Sequence, residues 1–174
     1  MTQREIIVGV TGGIAAYKSA DLVSKLAQAG HSVTVVMTEA ATRFVGPPTF
    51  AALSGKPVAQ NLFDPAYPLG AHIEISRRSD LLLVAPAAAD FMAKCAQGFA
   101  DDLLSTIYLC FEGAVSMAPA MNTEMWNKPS VQRSVAQLKA DGVGMIGPGE
   151  GWLSCREIGA GRMAEVSEIL TAIQ

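Results

Sequence analysis

Residues 5–38 read EIIVGVTGGIAAYKSADLVSKLAQAGHSVTVVMT, and this stretch decides the fold. Residues 5–11 are a short apolar, β-branched run that stops at Gly12-Gly13, as a buried strand does before a turn. Over residues 15–29, Leu22, Val23, Leu26 and Ala27 recur at helical spacing, and Gly30 stands where a helix ends on a glycine. Residues 31–38 form a second strand. Strand, glycine turn, helix and strand make a βαβ unit, so the two strands are expected to be parallel.

The alternation continues outward from this unit. Residues 81–85 and 114–118 are apolar runs, each stopped by a proline (Pro86 and Pro119), and residues 143–146 give a short fifth strand. Residues 88–96, 102–110, 131–140 and 164–173 carry helical patterns, with Asp102 expected as a first-turn charge. Residues 40–50 suggest a short helix and a turn at Pro47-Pro48, followed by a helical turn or two over 49–54. Residues 61–70 read as a loop, and 73–78 leave helix and strand open. Residues 147–161, with five Gly and one Pro, are expected to be flexible. Apolar strands alternating with helices predict a single α/β domain with a doubly wound parallel sheet, Rossmann-like or flavodoxin-like. Ligands of such sheets bind at the carboxyl ends of the strands.

Composition narrows the function. In 174 residues, 50% are hydrophobic and 17% charged, which excludes a disordered chain. A net charge of −3 without a Lys/Arg run argues against nucleic acid and anionic membranes as partners. No stretch approaches the roughly 18 apolar residues of a membrane span. The start, MTQREIIVGVTGG, lacks the basic-then-apolar layout of a signal peptide. Three Cys make no disulfide framework and no CxxC metal or redox pair, so a reduced, cytoplasmic setting and no metal are expected. Eight Met suit adaptable packing around a flat ligand, or simply a core.

The segments after the strands are chemically informative: TGGIAAYK, APAAADF and APAMNTEMW are loops of small residues that let backbone approach a ligand. Gly12-Gly13 before a helix can hold a phosphate on backbone N–H groups, and a bare turn reads as well. The run is not G-x-G-x-x-G, and Glu39 is only a loose match for a ribose-binding acid, which favours a mononucleotide over a dinucleotide. His72, beside Glu74, has the side chain that moves protons near neutral pH, while a surface or capping histidine is the simpler reading. His31 reads as structural. Asn122 can donate to a substrate carboxylate without burying a cation; it also suits a helix N-cap, and both can hold. Cys155, in a glycine-rich loop, is a candidate reactive thiol, whereas Cys95 and Cys110 fall on apolar helical patterns and read as core. Arg162 can hold a phosphate or carboxylate, or be a solvated side chain.

Taken together, TGGIAAYK, HIEISRRSDLLLVAPAAADFMAK, ADDLLS, APAMNTEMW and LSCREIGAGRM resemble the homo-oligomeric flavin-containing cysteine decarboxylase family over essentially the whole chain. The PAMN-x-x-MW segment, with a Cys 33 positions after its Asn in a G-x-G-R-M loop, is the specific part. Relatives acting on peptides that end in cysteine share the PxMN-type segment but lack that Cys. The resemblance implies FMN-dependent decarboxylation of 4′-phosphopantothenoylcysteine to 4′-phosphopantetheine in coenzyme A biosynthesis, through a thioaldehyde and an enethiolate. It implies FMN contacts at Gly12, Gly13, Ile14, Thr38, Ala88, Ala89, Asp90, Phe91 and Ala118. It gives acid/base work to His72, the substrate carboxylate to Asn122, pocket shape to Met125, substrate contact to Arg162 and proton donation to Cys155. It further implies a homotrimer or an assembly of trimers, and a chain that stands alone or forms the N-terminal half of a fusion with a synthetase. The other readings are a peptidyl-cysteine decarboxylase and a non-catalytic flavin-binding regulatory subunit, the latter commonly with acidic tails that this sequence lacks. Two positions depart from the family pattern: Arg156 stands where a Gly follows the Cys, and residues 87–91 are AAADF rather than a Ser/Thr- and Asn-containing loop.

Overall fold

Side chains alternate across a strand, and here both faces of each central strand are apolar, so the sheet has a core on either side. In the computed structural model, which describes residues 3–174, the central sheet comprises β1 (Glu5–Val10), β2 (Ser32–Met37), β3 (Leu81–Ala87), β4 (Ala114–Pro119) and β5 (Gly144–Met145). All pairings are parallel, in the order β2-β1-β3-β4-β5. Met1 and Thr2, the start of the segment read for a leader, lie outside the described residues.

Ile6, Val8 and Val10 point to one core, where α1 (Ala16–Gln28), α2 (Pro47–Ser54) and α8 (Val166–Ala172) bring Leu22, Leu26, Phe50 and Ile169. Ile7, Leu82 and Val84 point to the other. There α3 (Ala71–Arg77), α4 (Ala89–Gln97), α5 (Leu103–Cys110) and α7 (Pro129–Ala140) bring Ile75, Phe91, Met92, Leu104 and Leu138. Each such side chain, fully buried, stabilises the fold by about 1.5–3 kcal/mol over exposure. The chain leaves β1 in one direction toward β2 and later crosses to β3 on the other side. That reversal opens a crevice at the carboxyl ends of β1 and β3, the usual ligand position of this topology.

Four expectations need correction. Pro86 lies inside β3 instead of ending it, whereas β4 does end at Pro119. Pro47 starts α2 at a position where its missing N–H costs nothing, so the two prolines open the helix and the turn lies earlier, at Phe44. Asp102 lies outside α5 and caps it: its carboxylate accepts the Ser105 N–H at 2.8 Å, and Ser105 Oγ accepts the Asp102 N–H at 3.2 Å. The glycine-rich end is ordered: β6 (Gly149–Trp152) and β7 (Ile158–Arg162) pair as an antiparallel hairpin. The ambiguous 73–78 stretch falls in α3, and a short α6 (Thr123–Trp126) follows β4. No helix among the described residues is long and apolar enough to cross a membrane.

Candidate active site

The crevice floor is tied together by one hydroxyl. Thr11, just past β1 and 1% exposed, donates from Oγ1 to Pro86 O at 2.7 Å and accepts the Ala88 N–H at 2.9 Å. Ser19 Oγ donates to Ala85 O at 2.6 Å, and the Ala120 N–H donates to Ala87 O. The ends of β1, β3 and β4 are thereby fixed relative to one another.

Two helices start at this floor with different electrostatics. No side chain caps the start of α1, and its first turn holds no acid. The first turn of α4 carries Asp90. An anionic group is drawn to the uncapped start that holds no acid and repelled from the one that already has a carboxylate. The two glycines before α1 serve different needs. A Cβ on Gly12 would come within 2.5 Å of Ala40 Cβ, so Gly12 is a packing glycine. A Cβ on Gly13 would meet nothing within 4 Å, so Gly13 borders open space that a ligand can fill.

The opposite wall comes from the segment after β4 and from the hairpin. Asn122 caps α6, its Oδ1 accepting the Met125 N–H at 2.8 Å, which leaves the amide N–H₂ as a donor toward the cleft. Leu153 O accepts the Arg156 N–H at 2.9 Å and the Leu153 N–H donates to Glu157 O at 2.8 Å, closing a three-residue hairpin loop. Arg156 is in the left-handed region at φ 68°, the conformation that Gly adopts without cost and the position where the family pattern has Gly. Cys155 is exposed at the tip, its Sγ 3.7 Å from Glu157 Oε2.

The cleft between these walls encloses about 580 Å³, within the range of small-molecule sites. Gly12, Gly13, Ile14, Ala88, Ala89, Asp90, Asn122, Met125, Cys155 and Arg162 all line it. Four other positions singled out from the sequence do not. Thr38 accepts the Ala41 N–H on its Oγ1, and Phe91 and Ala118 are buried in the two cores. His72 lies on the first turn of α3, with Nδ1 buried and without a hydrogen-bond partner, its ring close to Gly70. Sequence reasoning missed Thr11, Tyr17, Lys18 and Trp152. Tyr17 and Lys18 follow Ile14 by three and four positions, a helical spacing that was available as a signal. Cys110 also departs from expectation: it is exposed at the end of α5, with Sγ 3.3 Å from Ser76 Oγ. Cys95 is buried, and burial pushes its thiol up to about 12.

Both cleft cations are neutralised by one acid. Glu165 Oε1 lies 3.1 Å from Lys18 Nζ and 2.6 Å from an Arg162 guanidinium nitrogen. The Lys18 hydrogen bond holds the Glu165 carboxyl below its ordinary value. Among the described residues no group of three or more His, Cys, Asp or Glu is placed to hold a metal.

A doubly wound α/β protein with a mononucleotide-sized cleft at its β1/β3 crevice, an uncapped helix start at one end and a thiol on a hairpin at the other, is the class that fold and site define. The chain belongs to the Flavoprotein family, which it matches over residues 1–174. It is 44% identical over 171 residues to the coenzyme A biosynthesis bifunctional protein CoaBC of Haemophilus influenzae, covering 98% of this chain and 43% of that protein. The chain thus spans less than half the length of the curated relatives it matches. Among solved structures it is similar to a cysteine-to-serine variant of PPC decarboxylase complexed with pantothenoylaminoethenethiol (TM-score 0.92, 27% identity, covering 99% of this chain and 97% of the other). It is also similar to the FMN-dependent cysteine decarboxylase SpaF (TM-score 0.82, 30% identity, covering 99% and 98%).

Proposed function

We propose that this chain is an FMN-dependent decarboxylase that converts 4′-phosphopantothenoylcysteine to 4′-phosphopantetheine and CO₂ in coenzyme A biosynthesis. The observation that carries the reading is the meeting, in one cleft, of the Asn122 amide and the Cys155 thiol with the open glycine turn at the uncapped start of α1. The bifunctional relatives support this pathway, and the similar solved proteins named above support the cofactor and the reaction.

The residues fit FMN. Backbone N–H groups of Gly12, Gly13 and Ile14 would take the phosphate, and the small Ala88 and Ala89 leave room for a planar ring. When bound, FMN accepts two electrons from the substrate's CH₂–SH unit and returns them after CO₂ has left. The protein supplies the rest. The free Asn122 N–H₂ group would hold the carboxylate, and half-exposed Met125 would shield it from water. With the neighbouring carbon at the thioaldehyde level, the electron pair freed by CO₂ loss spreads onto sulfur as an enethiolate. Cys155 would then protonate the carbon that carried the carboxylate. Arg162, held by Glu165, would contact the substrate.

His72 does not reach the cleft of its own protomer, so its acid/base role requires a neighbouring copy. Phe63 and Leu69 before it, 85% and 66% exposed, and Ile14 and Tyr17 at the cleft, 56% and 61% exposed, give apolar surface for a trimer in which sites are shared. This chain would then be the decarboxylase part of a two-activity cytoplasmic protein, or an enzyme by itself.

The test is product analysis by mass spectrometry with substrate and FMN, on the wild type and Cys155→Ser. The wild type should give phosphopantetheine. The Ser variant should still release CO₂ but give the unsaturated enethiol, because a hydroxyl is a far weaker acid than a thiol. Phosphopantetheine at the wild-type rate from Cys155→Ser would remove Cys155 from the mechanism. For site sharing, His72→Asn and Asn122→Asp should each be inactive and recover activity when co-refolded. No recovery in mixed oligomers, or an active monomer by light scattering, would rule sharing out.

A further inference from the structure

β7 approaches the segment after β4 more closely than side chains permit. The Met121 N–H donates to Gly161 O at 2.9 Å, and Thr123 Oγ1 donates to Ala160 O at 2.9 Å. A Cβ on Gly161 would overlap Met121 O, and one on Gly159 would overlap Thr123 Oγ1. The two glycines of residues 159–161 therefore serve close docking. Among the described residues, the hydroxyl of Thr123 is the one side-chain group that hydrogen-bonds the hairpin's second strand to the segment bearing Asn122.

We propose that Thr123 is a positioning residue that locks the carboxylate anchor and the proton donor into one body, so that CO₂ loss and the later reduction stay coupled. The proposal rests on the decarboxylase reading above. Asn122 precedes Thr123 directly, and Cys155 stands at the far end of the hairpin that Thr123 holds. Of the two parts that Thr123 joins, loss of CO₂ draws on the Asn122 segment alone. Completion needs a proton from Cys155 at the carbon that carried the carboxylate and a hydride equivalent at the carbon bearing sulfur. If the hairpin drifts from the Asn122 segment, the second stage is the one that fails. The enethiol then leaves, and dissolved dioxygen takes the two electrons left on the cofactor, giving hydrogen peroxide.

Thr123→Val keeps the shape and removes the hydroxyl; Thr123→Ser keeps the hydroxyl. Amide hydrogen exchange on the intact chain, with and without FMN, reads the latch independently of turnover. Loss of this hydrogen bond should speed exchange at Met121 and along residues 158–162 by up to roughly tenfold in Thr123→Val. With substrate, the wild type should yield CO₂ and phosphopantetheine in equal amounts. Thr123→Val should yield less phosphopantetheine than CO₂, with the shortfall appearing as enethiol and peroxide, and Thr123→Ser should restore both readouts. Unchanged exchange with equal products in Thr123→Val overturns the proposal. So does a loss of both products in equal proportion, which is the mark of a structural defect alone, or a failure of Ser to rescue. A wild type that releases no CO₂ would remove the decarboxylase reading instead, while the exchange arm would still decide whether the latch exists.

Discussion

The turn at residues 12–14 and the turn at residues 153–157 face the same cleft, yet they are held by different means. The first grows out of β1 and is braced by the buried Thr11 hydroxyl, so its position is set by the central sheet. The second sits on a two-stranded sheet of its own, attached at its base to the segment after β4 and exposed at its tip. A group that must bind a cofactor tightly gains from backbone fixed in the core. A group that must deliver a proton and then let product leave gains from a support that can yield.

Asn122 belongs to neither turn but lines the cleft that both face, on the segment to which the hairpin docks, which makes it the sharpest probe. Asn122→Asp can still accept the Met125 N–H, so the cap survives. It replaces the proposed donor to the substrate carboxylate with a like charge. Turnover should fall by roughly a hundred- to a thousand-fold, the usual cost of about 2.7–4 kcal/mol for one oriented donor, with the melting temperature little changed. Near-normal CO₂ release would show that Asn122 is a cap only.

The glycines separate the regions next. Gly161→Ala sets a Cβ against the Met121 carbonyl at φ 121° and should cost about 1–3 kcal/mol in stability. At roughly 2–4 °C per kcal/mol for a chain of this size, calorimetry will resolve that. Gly13→Ala meets no protein atom and should melt as the wild type does, while weakening FMN binding by filling ligand space. The opposite pattern, a stability loss at Gly13 and none at Gly161, would invert the assignment of cradle and dock.

The same division governs how much was legible in the sequence. The sheet was, because apolar runs buried on both faces leave an unmistakable signal, as residues 5–11 and 81–85 show. The hairpin was not: Gly149, Gly151, Gly159 and Gly161 read as flexibility, although Gly159 and Gly161 are there for contact. Most cofactor-side candidates line the cleft because strand ends announce themselves, whereas the burial of Phe91 required knowing which face of α4 meets the core. His72 lies in a segment whose helix only the fold reveals, and Glu165, three positions from Arg162, reaches Lys18 across a distance in sequence that no spacing rule covers.

Glu165 ties the two regions together, and pH tests the tie. The Lys18 hydrogen bond, helped by the charges of Lys18 and Arg162, lowers its carboxyl below the ordinary 4.5. A depressed acid adds stability that is present above its unfolded value and is lost as pH falls through the folded one. Denaturation followed below about pH 4.5 should therefore show a shallower acid limb in Glu165→Gln than in the wild type. Because the side chain is half exposed, solvent screening keeps the effect small. Identical limbs would mean that the three groups do not interact in solution.

The smallest expected effect lies at the hairpin tip. Arg156 alone among the described non-glycine residues has positive φ, directly beside the proposed proton donor. Holding an L-residue there costs about 1–2 kcal/mol, and Gly removes that cost. Gly also adds freedom to the unfolded chain, which takes back about 0.4–1 kcal/mol. Arg156→Gly should therefore be neutral to slightly stabilising, by at most about 1.6 kcal/mol. The kinetic consequence distinguishes strain from charge. If the strained backbone is what keeps the tip mobile, Arg156→Gly slows product release and leaves the ratio of phosphopantetheine to CO₂ at unity. If the guanidinium instead guides an anionic substrate past Cys155, KM rises in Arg156→Gly, and Arg156→Lys, which keeps the charge and the strain, restores it.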